Sequence, residues 1–372
     1  MGKIKLLFFG IKYFPSKGGT SRVAENLIRQ MKDEFDITIF CYKTRLSQQH
    51  INGVKVIEFY PIFKGSIGAF FYFLQSAFYL LLFCKPDIIH VHKIDACLFI
   101  PWFYKKAKII ATSHESPYMR DKWSLLEKKF FKLSEQIYIR SNATLTSISK
   151  PLTETYESEY GRKVKYIPNG ISISPVYNDK KAEKYLAHLN LNPGNYIFFA
   201  ARRIMKTKGL HTMFEALSQL NYQGNILVAG DLKHASSYIQ ELKIKFAHLQ
   251  VIYPGYIGEL PLLLSLIKHS RLFVFPSETE GMSIMLLEAA TTLTPIICSD
   301  IKENKEVFND NHVTYFRNKD AADLADKIQT TLNNHKILNL KAENALKHIK
   351  NHYTWDKIAK EYVNLYASLL KN

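Results

Sequence analysis

Short apolar runs alternate along this chain with longer stretches in which apolar residues recur every three or four positions. The runs suit strands buried on both faces, the longer stretches suit amphipathic helices, and their alternation predicts parallel sheets with helical crossovers. In the first half, strands are expected at Ile4–Gly10, Ile37–Cys41, Val54–Phe59, Ile88–His92, Ile109–Thr112, Thr144–Ile148 and Val164–Ile167. Helices are expected between them, among others at Ser21–Met31 and Trp123–Ile139. Around Ser172–Tyr185 the pattern gives way to polar residues with Pro175, which reads as a linker. The second half predicts strands at Ile197–Ala200, Ile226–Ala229, Val251–Tyr253, Leu272–Phe275 and Ile296–Ser299. Its helices fall at Leu210–Leu220, Ser236–Phe246, Leu260–Lys268 and Ser283–Thr291, followed by a helical tail over Ala321–Leu332 and Lys336–Leu370.

The run Gly65 to Cys84 is almost wholly apolar, close to the ~20 residues that span a bilayer. Gln75 and Ser76 interrupt it, and a strand follows at once, so a crossover helix, buried or partly membrane-facing, is the expectation rather than a span. At 372 residues, 47% hydrophobic and 22% charged, the chain is long and apolar enough for two globular domains. Cys41, Cys84, Cys97 and Cys298 are scattered through apolar segments without paired spacing, which favours buried thiols over disulfides or zinc ligands. The first apolar run, Ile4 to Phe9, has strand length, so no signal peptide is expected and the chain is placed in the cytoplasm.

A net charge of +17 asks for an anionic partner. No nucleic-acid-binding motif is visible. Residues 119–132 instead interleave lysines with Trp123, Leu125, Leu126, Phe130 and Phe131, a pattern that suits a helix lying on an anionic membrane surface. The competing reading is a solvated basic helix with its aromatic residues packed inward.

Candidate chemistry concentrates in Phe273-Val-Phe-Pro-Ser-Glu-Thr-Glu-Gly-Met-Ser-Ile-Met-Leu-Leu-Glu-Ala-Ala290. A strand ends at Pro276-Ser277, an acidic turn follows, and Gly281 is expected to open a helix carrying Glu288. Such a handover points unpaired backbone N–H groups and the helix dipole at an anion. Eight helical residues would separate Glu280 from Glu288 by roughly 12 Å, too far for a glycosidase pair. Each carboxylate therefore suits a different part of one long ligand, such as a nucleotide sugar.

This segment resembles the Glu-x7-Glu signature of family-4 retaining glycosyltransferases, which have the α/β GT-B fold. Further matches follow in order: Phe14-Pro-Ser-Lys-Gly-Gly19, Asp87-Ile-Ile-His-Val-His92, Thr112-Ser-His114, Pro168-Asn-Gly170, Arg203-Ile-Met-Lys-Thr-Lys-Gly209, Ala229-Gly-Asp231 and Pro254-Gly-Tyr256. The resemblance implies two doubly wound, Rossmann-like domains facing a central cleft. Residues 1–171, with the last helix of 354–372 crossing back, would form the acceptor side, and 172–353 the nucleotide-sugar side. It implies that Arg203 and Lys208 bind the donor diphosphate, with the Gly18–Gly19 loop, Gly255 and Tyr256 also on the donor. Glu288 would accept from the ribose and Glu280 from the transferred sugar. The N–H groups of Gly281, Met282 and Ser283 would meet the sugar or distal phosphate, and His114 would hold the donor sugar. Thr20 and Ser21 would start the helix after the glycine loop. His90 and His92 share one strand face and could be structural.

No Asp-x-Asp occurs, so no metal or other cofactor is expected and the basic pair would stand in for a cation. The resemblance further implies transfer from a nucleotide sugar, most simply a UDP-sugar, to a saccharide or lipid-linked saccharide acceptor in capsule, O-antigen or exopolysaccharide assembly at the inner membrane face. Departures occur at Arg202, Leu293-Thr294-Pro295 and Glu303-Asn304-Lys305-Glu306, where the family favours glycine. An epimerase or phosphorylase on the same scaffold, and a non-enzymatic nucleotide-sugar binder, remain alternatives. A nicotinamide dehydrogenase would need a Gly-x-Gly-x-x-Gly after the first strand, which is missing.

Overall fold

The structure, a computed structural model, describes residues 2–16, 19–43, 51–63, 65–116, 118, 124–172 and 174–371. The described chain divides into two compact units, Met1–Asn169 with Trp355–Asn372, and Gly170–Thr354.

The first unit is built on β1 (Lys5–Phe9), β2 (Asp36–Tyr42), β3 (Val54–Phe59), β4 (Ile88–His92), β5 (Lys108–Ser113), β6 (Thr144–Ser147) and β7 (Lys165–Tyr166). They form one all-parallel sheet in the order β3-β2-β1-β4-β5-β6-β7, a doubly wound arrangement whose order reverses beside β1. Helices α1 (Thr20–Met31), α2 (Gly65–Phe83), α3 (Ile100–Phe103), α4 (Leu125–Arg140) and α5 (Lys150–Tyr160) make the crossovers, and a tight turn of helix at Ile94–Phe99 leads into α3.

Register is pinned locally. The carboxylate of Asp87 accepts from the Lys5 backbone N–H at 2.7 Å, which ties the entry of β4 to that of β1. That contact explains the aspartate ahead of Ile-Ile-His-Val-His in physical terms. Helix α4 starts where a capping box would start it: the Ser124 hydroxyl accepts from the Glu127 N–H, and the Glu127 carboxylate accepts from the Ser124 N–H.

Helix α2 buries Gly68, Ala69, Tyr72, Phe73, Ser76, Ala77 and Leu80 as one stripe, with the Tyr72 hydroxyl donating to the Ile11 carbonyl. It is long and apolar enough to cross a membrane, yet that stripe packs into the core with Phe9, Phe40 and Phe103. The opposite face leaves Ile67, Phe78, Leu82 and Phe83 exposed. Along α4, Phe131 is buried and Phe130 packs edge-on against Phe70. Phe130 and Phe131 are thus turned toward the protein, with α2 supplying an aromatic surface for Phe130, while Leu125 and Leu126 of the same segment are exposed. Trp123 lies outside the described residues.

The second unit carries β8 (Tyr196–Arg203), β9 (Asn225–Asp231), β10 (Val251–Gly255), β11 (Leu272–Phe275), β12 (Ile296–Ser299) and β13 (Thr314–Phe316). These also run parallel, in the order β10-β9-β8-β11-β12-β13. Around them lie α6 (Asp179–His188), α7 (Leu210–Gln219), α8 (Ser236–Lys245), α9 (Leu260–Lys268), α10 (Ile284–Ala289), α11 (Lys302–Val307), α12 (Ala321–Asn333) and α13 (His335–His352). The segment read as a linker runs into α6, which takes up its second half and continues to His188. Its polar composition hides a narrow apolar stripe of Ala182 and Leu186, and Asn178 caps it by accepting from the Lys181 N–H.

Helix α14 (Trp355–Lys371) ends the chain and belongs to the first unit, where it packs against α1. Tyr362 and Tyr366 on it are fully buried against β4 and β5: the Tyr366 hydroxyl sits 2.7 Å from His90 Nδ1, and the Tyr362 hydroxyl 3.4 Å from Thr112 Oγ1. His90 is therefore a structural tether for the last helix.

Candidate active site

In the second unit, the residues singled out from sequence gather where β8 and β11 end, the edge at which parallel α/β sheets bind ligands. After Arg203 the chain turns through Lys206–Lys208 in a tight helical turn, and Gly209 caps α7 in the left-handed conformation at φ 70°. A Cβ on Gly209 would stand 1.9 Å from the Pro276 carbonyl oxygen, so only glycine lets these two backbones meet. The Glu278 N–H donates to the Thr207 carbonyl at 2.9 Å. Lys208 Nζ then reaches Glu280 Oε1 at 2.5 Å, with both side chains mostly buried. The Arg-x4-Lys-Gly turn and the acidic turn after β11 are thereby locked together by a close approach, a backbone hydrogen bond and an ion pair.

Arg203 ends β8 opposite Asp231, and among the described residues its guanidinium makes no hydrogen bond or ion pair. One cation is thus held by a carboxylate and the neighbouring one is available to an anion. Gly281 and Met282 lie in the loop, Met282 buried, and Ser283 caps α10 by accepting from the Leu286 N–H at 3.3 Å. Helix α10 therefore begins at Ile284 rather than at Gly281, since the Ser283 hydroxyl supplies the better cap. It is also short, so the anion-site argument from its dipole weakens. The rise of roughly 12 Å inferred between Glu280 and Glu288 does not apply either, because Glu280 precedes the helix. Glu288 is 6% exposed and engaged with its surroundings. Gly255 ends β10 and Tyr256 is 55% exposed; neither bonds to Arg203, Lys208 or Glu280 among the described residues.

Two carboxylates join this site that sequence reasoning passed over. Glu278 pairs with His211 Nε2 at 3.3 Å and Lys319 Nζ at 3.3 Å, and its carbonyl accepts from Asn318 Nδ2. Glu303, within the segment that departs from the family pattern, has its carboxyl raised above the usual range, first by burial and then by the charge of Glu280. No spacing rule could have found either one, because Glu278 meets partners from distant segments, His211 and Lys319, and Glu303 comes from α11.

In the first unit, Gly19 caps α1 with its carbonyl, accepting from the Arg22 and Val23 N–H groups. Thr20 and Ser21 are thus already helical, and Gly18 lies outside the described residues. His114 follows β5, and its Nε2 lies 3.1 Å from Nδ1 of His92, the last residue of β4. Phe8 stacks on the His92 ring at 5.4 Å, and a Cβ on Gly10 would stand 2.1 Å from the His92 carbonyl oxygen. Burial pushes His90 and His114 down to about 3 and His92 well below its usual value, with neighbouring charges adding to the shift. All three rings are neutral near pH 7. Lys93, directly after His92, holds φ 79° and ψ 142°, a conformation that costs a side-chain-bearing residue of order 1–3 kcal/mol. The end of β4 is therefore strained where it supports His114. His92, which shares its strand face with His90, is thus the hydrogen-bond partner of His114.

Two family models match the chain: Glycosyltransferase Family 4 over residues 17–174 and Glycosyl transferases group 1 over residues 181–348. Among curated proteins, it is 27% identical to the N,N'-diacetylbacillosaminyl-diphospho-undecaprenol alpha-1,3-N-acetylgalactosaminyltransferase of Campylobacter jejuni, over 53% of this chain and 51% of that protein. It is 25% identical to the capsular polysaccharide biosynthesis glycosyltransferase CapM of Staphylococcus aureus, over 55% of this chain and 54% of the relative. The match thus spans about half the length of these curated relatives. A glycosyltransferase of Methanocaldococcus jannaschii, uncharacterized, matches at 22% identity over 96% of both chains. Among solved structures, sucrose-phosphate synthase of Thermosynechococcus elongatus superposes with a TM-score of 0.83 at 18% identity, over 99% of this chain and 100% of that one. Anabaena HepE, solved with UDP-glucose, gives 0.81 at 17%, over 98% and 100%. At these identities the structures speak for the fold, GT-B. With one model on each unit, the chain belongs to the family-4 glycosyltransferases of the GT-B fold.

Proposed function

We propose that this protein is a retaining glycosyltransferase that moves a sugar from a nucleotide-sugar donor, a UDP-sugar, to a lipid-linked saccharide during assembly of a bacterial cell-surface polysaccharide. The observation that carries the reading is the locking of Thr207, Lys208 and Gly209 onto Glu278, Glu280 and Pro276, beside an Arg203 without a side-chain partner among the described residues. This arrangement sets two cations beside hydroxyl-accepting carboxylates at the ligand edge of a doubly wound sheet. A nucleotide sugar needs both.

In the proposed reaction an acceptor hydroxyl oxygen bonds to the anomeric carbon as the bond from that carbon to the β-phosphate oxygen breaks. The electron pair leaves with the nucleoside diphosphate, and the hydroxyl proton passes to a phosphate oxygen. Charge grows on the diphosphate, so fixed cations lower the barrier. Arg203 and Lys208 supply them without a metal ion. Glu280 holds Lys208 in place before the donor arrives and then accepts from a sugar hydroxyl, while Glu288 accepts from the ribose.

The UDP assignment draws on the Anabaena neighbour solved with UDP-glucose, and the lipid-linked acceptor on the diphospho-undecaprenol in the Campylobacter enzyme's name. We place the protein at the inner face of the membrane, on the exposed apolar residues of α2 and α4 and the lysines beside them. Purified protein incubated with a panel of nucleotide sugars, with and without lipid-linked acceptor, tests the reading. Acceptor-dependent nucleotide release, unaffected by chelator, is expected. Donor conversion without acceptor would instead indicate an epimerase, and binding without turnover a passive carrier.

A further inference from the structure

His92 is fully buried, and its Nε2 is shielded from solvent without a hydrogen-bond partner among the described residues. Its ring is clamped by Phe8 on one side, stacked at 5.4 Å, and by His90 at 3.9 Å between centroids. Among the described residues the hydrogen bond of its side chain is the 3.1 Å contact from Nδ1 to His114 Nε2. Each neutral imidazole carries one proton, so this contact can be made in two ways. In the first, His92 Nδ1–H donates, His92 Nε2 is a bare lone pair, and His114 must carry its proton on Nδ1. In the second, His114 Nε2–H donates, and His92 is left with a buried N–H aimed at no acceptor.

The two arrangements differ in what they strand. Either way Nε2 of His92 is left unmet, and a buried N–H without an acceptor is the rarer of the two in folded proteins. Lys93 and Asp95 flank His114 as an ion pair at 3.8 Å, with opposing influences on its ring. His90 cannot relieve Nε2 of His92, because both of its nitrogens are committed, to Tyr366 and to Thr112 at 2.7 Å each.

We propose that His92 is a positioning residue that fixes His114 as the Nδ1–H tautomer, making it a neutral hydrogen-bond donor. His114 then offers its Nδ1–H to an oxygen of the ligand, and it neither takes a proton at Nδ1 nor bears positive charge. Given the proposed function, that oxygen belongs to a sugar substrate. A side chain that only donates distinguishes a hydroxyl or ring oxygen from a substituent that itself only donates.

Long-range proton–nitrogen spectra of the full chain labelled with 15N-histidine read both tautomers directly. His114→Gln and His92→Asn variants provide the assignments. The expected result is Nδ1–H at His92 and His114, unchanged between pH 6 and 8. In His92→Leu the single His114 tautomer should give way to a mixture, with transfer reduced at least tenfold through kcat. In His92→Asn, whose amide nitrogen replaces Nδ1, both should recover in part. Finding His114 protonated on Nε2 in the unmodified protein would overturn the assignment, even if His92→Leu fails to fold. So would a His114 tautomer left unaltered in His92→Leu. If the Nδ1–H tautomer is found but His114→Gln transfers sugar normally, the tautomer assignment stands and the proposed contact with the sugar falls.

Discussion

Lys208 Nζ and Glu280 Oε1 meet at 2.5 Å across 72 residues of chain, joining the turn after β8 to the turn after β11. Both side chains are largely shielded, so the pair is worth more than an exposed one, and removing one partner strands the other. Lys208→Ala and Glu280→Gln should each lower transfer at least tenfold without abolishing folding. Their effects on unfolding free energy should couple by about 1–2 kcal/mol in a double-mutant cycle. Additive effects would mean that the contact does not hold these turns together.

Gly209 concerns the same junction through the backbone. Gly209→Ala must accommodate both a left-handed conformation and a Cβ at 1.9 Å from the Pro276 carbonyl oxygen. Destabilisation of about 2 kcal/mol or more is expected in chemical denaturation, with transfer falling alongside, because the acidic turn must move away from Lys208. A substitution cost below ~0.5 kcal/mol would show that the two loops can separate freely.

Lys93 should behave in the opposite sense. Its φ of 79° suits glycine, so Lys93→Gly relieves strain at the end of β4 while loosening the unfolded chain. A net gain of about 1 kcal/mol over Lys93→Ala, which keeps the strain and removes the same charge, is the expected difference. Equal stability of the two variants would count against a strained β4 end.

Much of this architecture was readable in the residues because buried parallel strands announce themselves. Ile88–His92, Leu272–Phe275 and Ile296–Ser299 match the strands their apolar runs predict, since every residue of each is buried. Helix α6 escapes such a reading for the converse reason: Ala182 and Leu186 are a thin stripe among charged residues. Within the site, the Arg-x4-Lys-Gly and Glu-x7-Glu spacings pointed to the right loops, but not to the Lys208–Glu280 bond. Local periodicity carries no information about contacts between turns that follow different strands. Glu278, Glu303 and the His92–His114 bond were illegible for that reason. The start of α10 was misplaced because Ser283 and Gly281 both suit a helix entry, and only the hydroxyl contact to Leu286 decides between them.

Acid should unfold this protein earlier than its carboxylates would suggest. The folded state holds His90, His92 and His114 neutral, with the first and third at about 3, whereas the unfolded chain protonates them near the ordinary imidazole value of 6.5. Below that value the unfolded state binds more protons, so stability falls as pH falls, by up to ~1.4 kcal/mol per pH unit for each ring, until the folded rings also titrate. Glu25, Asp179 and Asp300 have lowered values, and their contributions disappear only below the unfolded values of 4.5 and 3.8. Thermal unfolding should therefore show a marked drop in Tm between pH 7 and 5. In His90→Gln the drop should be shallower. A flat profile over that range would mean that the three rings are not jointly buried and neutral.

Helix α4 carries the membrane proposal. Its first turn leaves Leu125 and Leu126 each 79% exposed, and Lys128, Lys129 and Lys132 follow on the same helix. The exposed face of α2, with Phe78 against Trp102, extends the apolar surface of the same unit. Burying two leucines in a lipid interface would contribute about 3 kcal/mol, and each nearby lysine roughly 1 kcal/mol more at an anionic surface. Vesicles containing anionic phospholipid should sediment the protein, and vesicles of neutral lipid should do so much less. Raising the salt should weaken the attraction by screening the lysines while leaving the apolar part. Leu125→Glu with Leu126→Glu should reduce vesicle binding more than tenfold at unchanged Tm, since neither side chain contributes to the core. Equal binding to both kinds of vesicle would remove the lysines from the account, and binding unaffected by the double substitution would move the contact elsewhere on the unit.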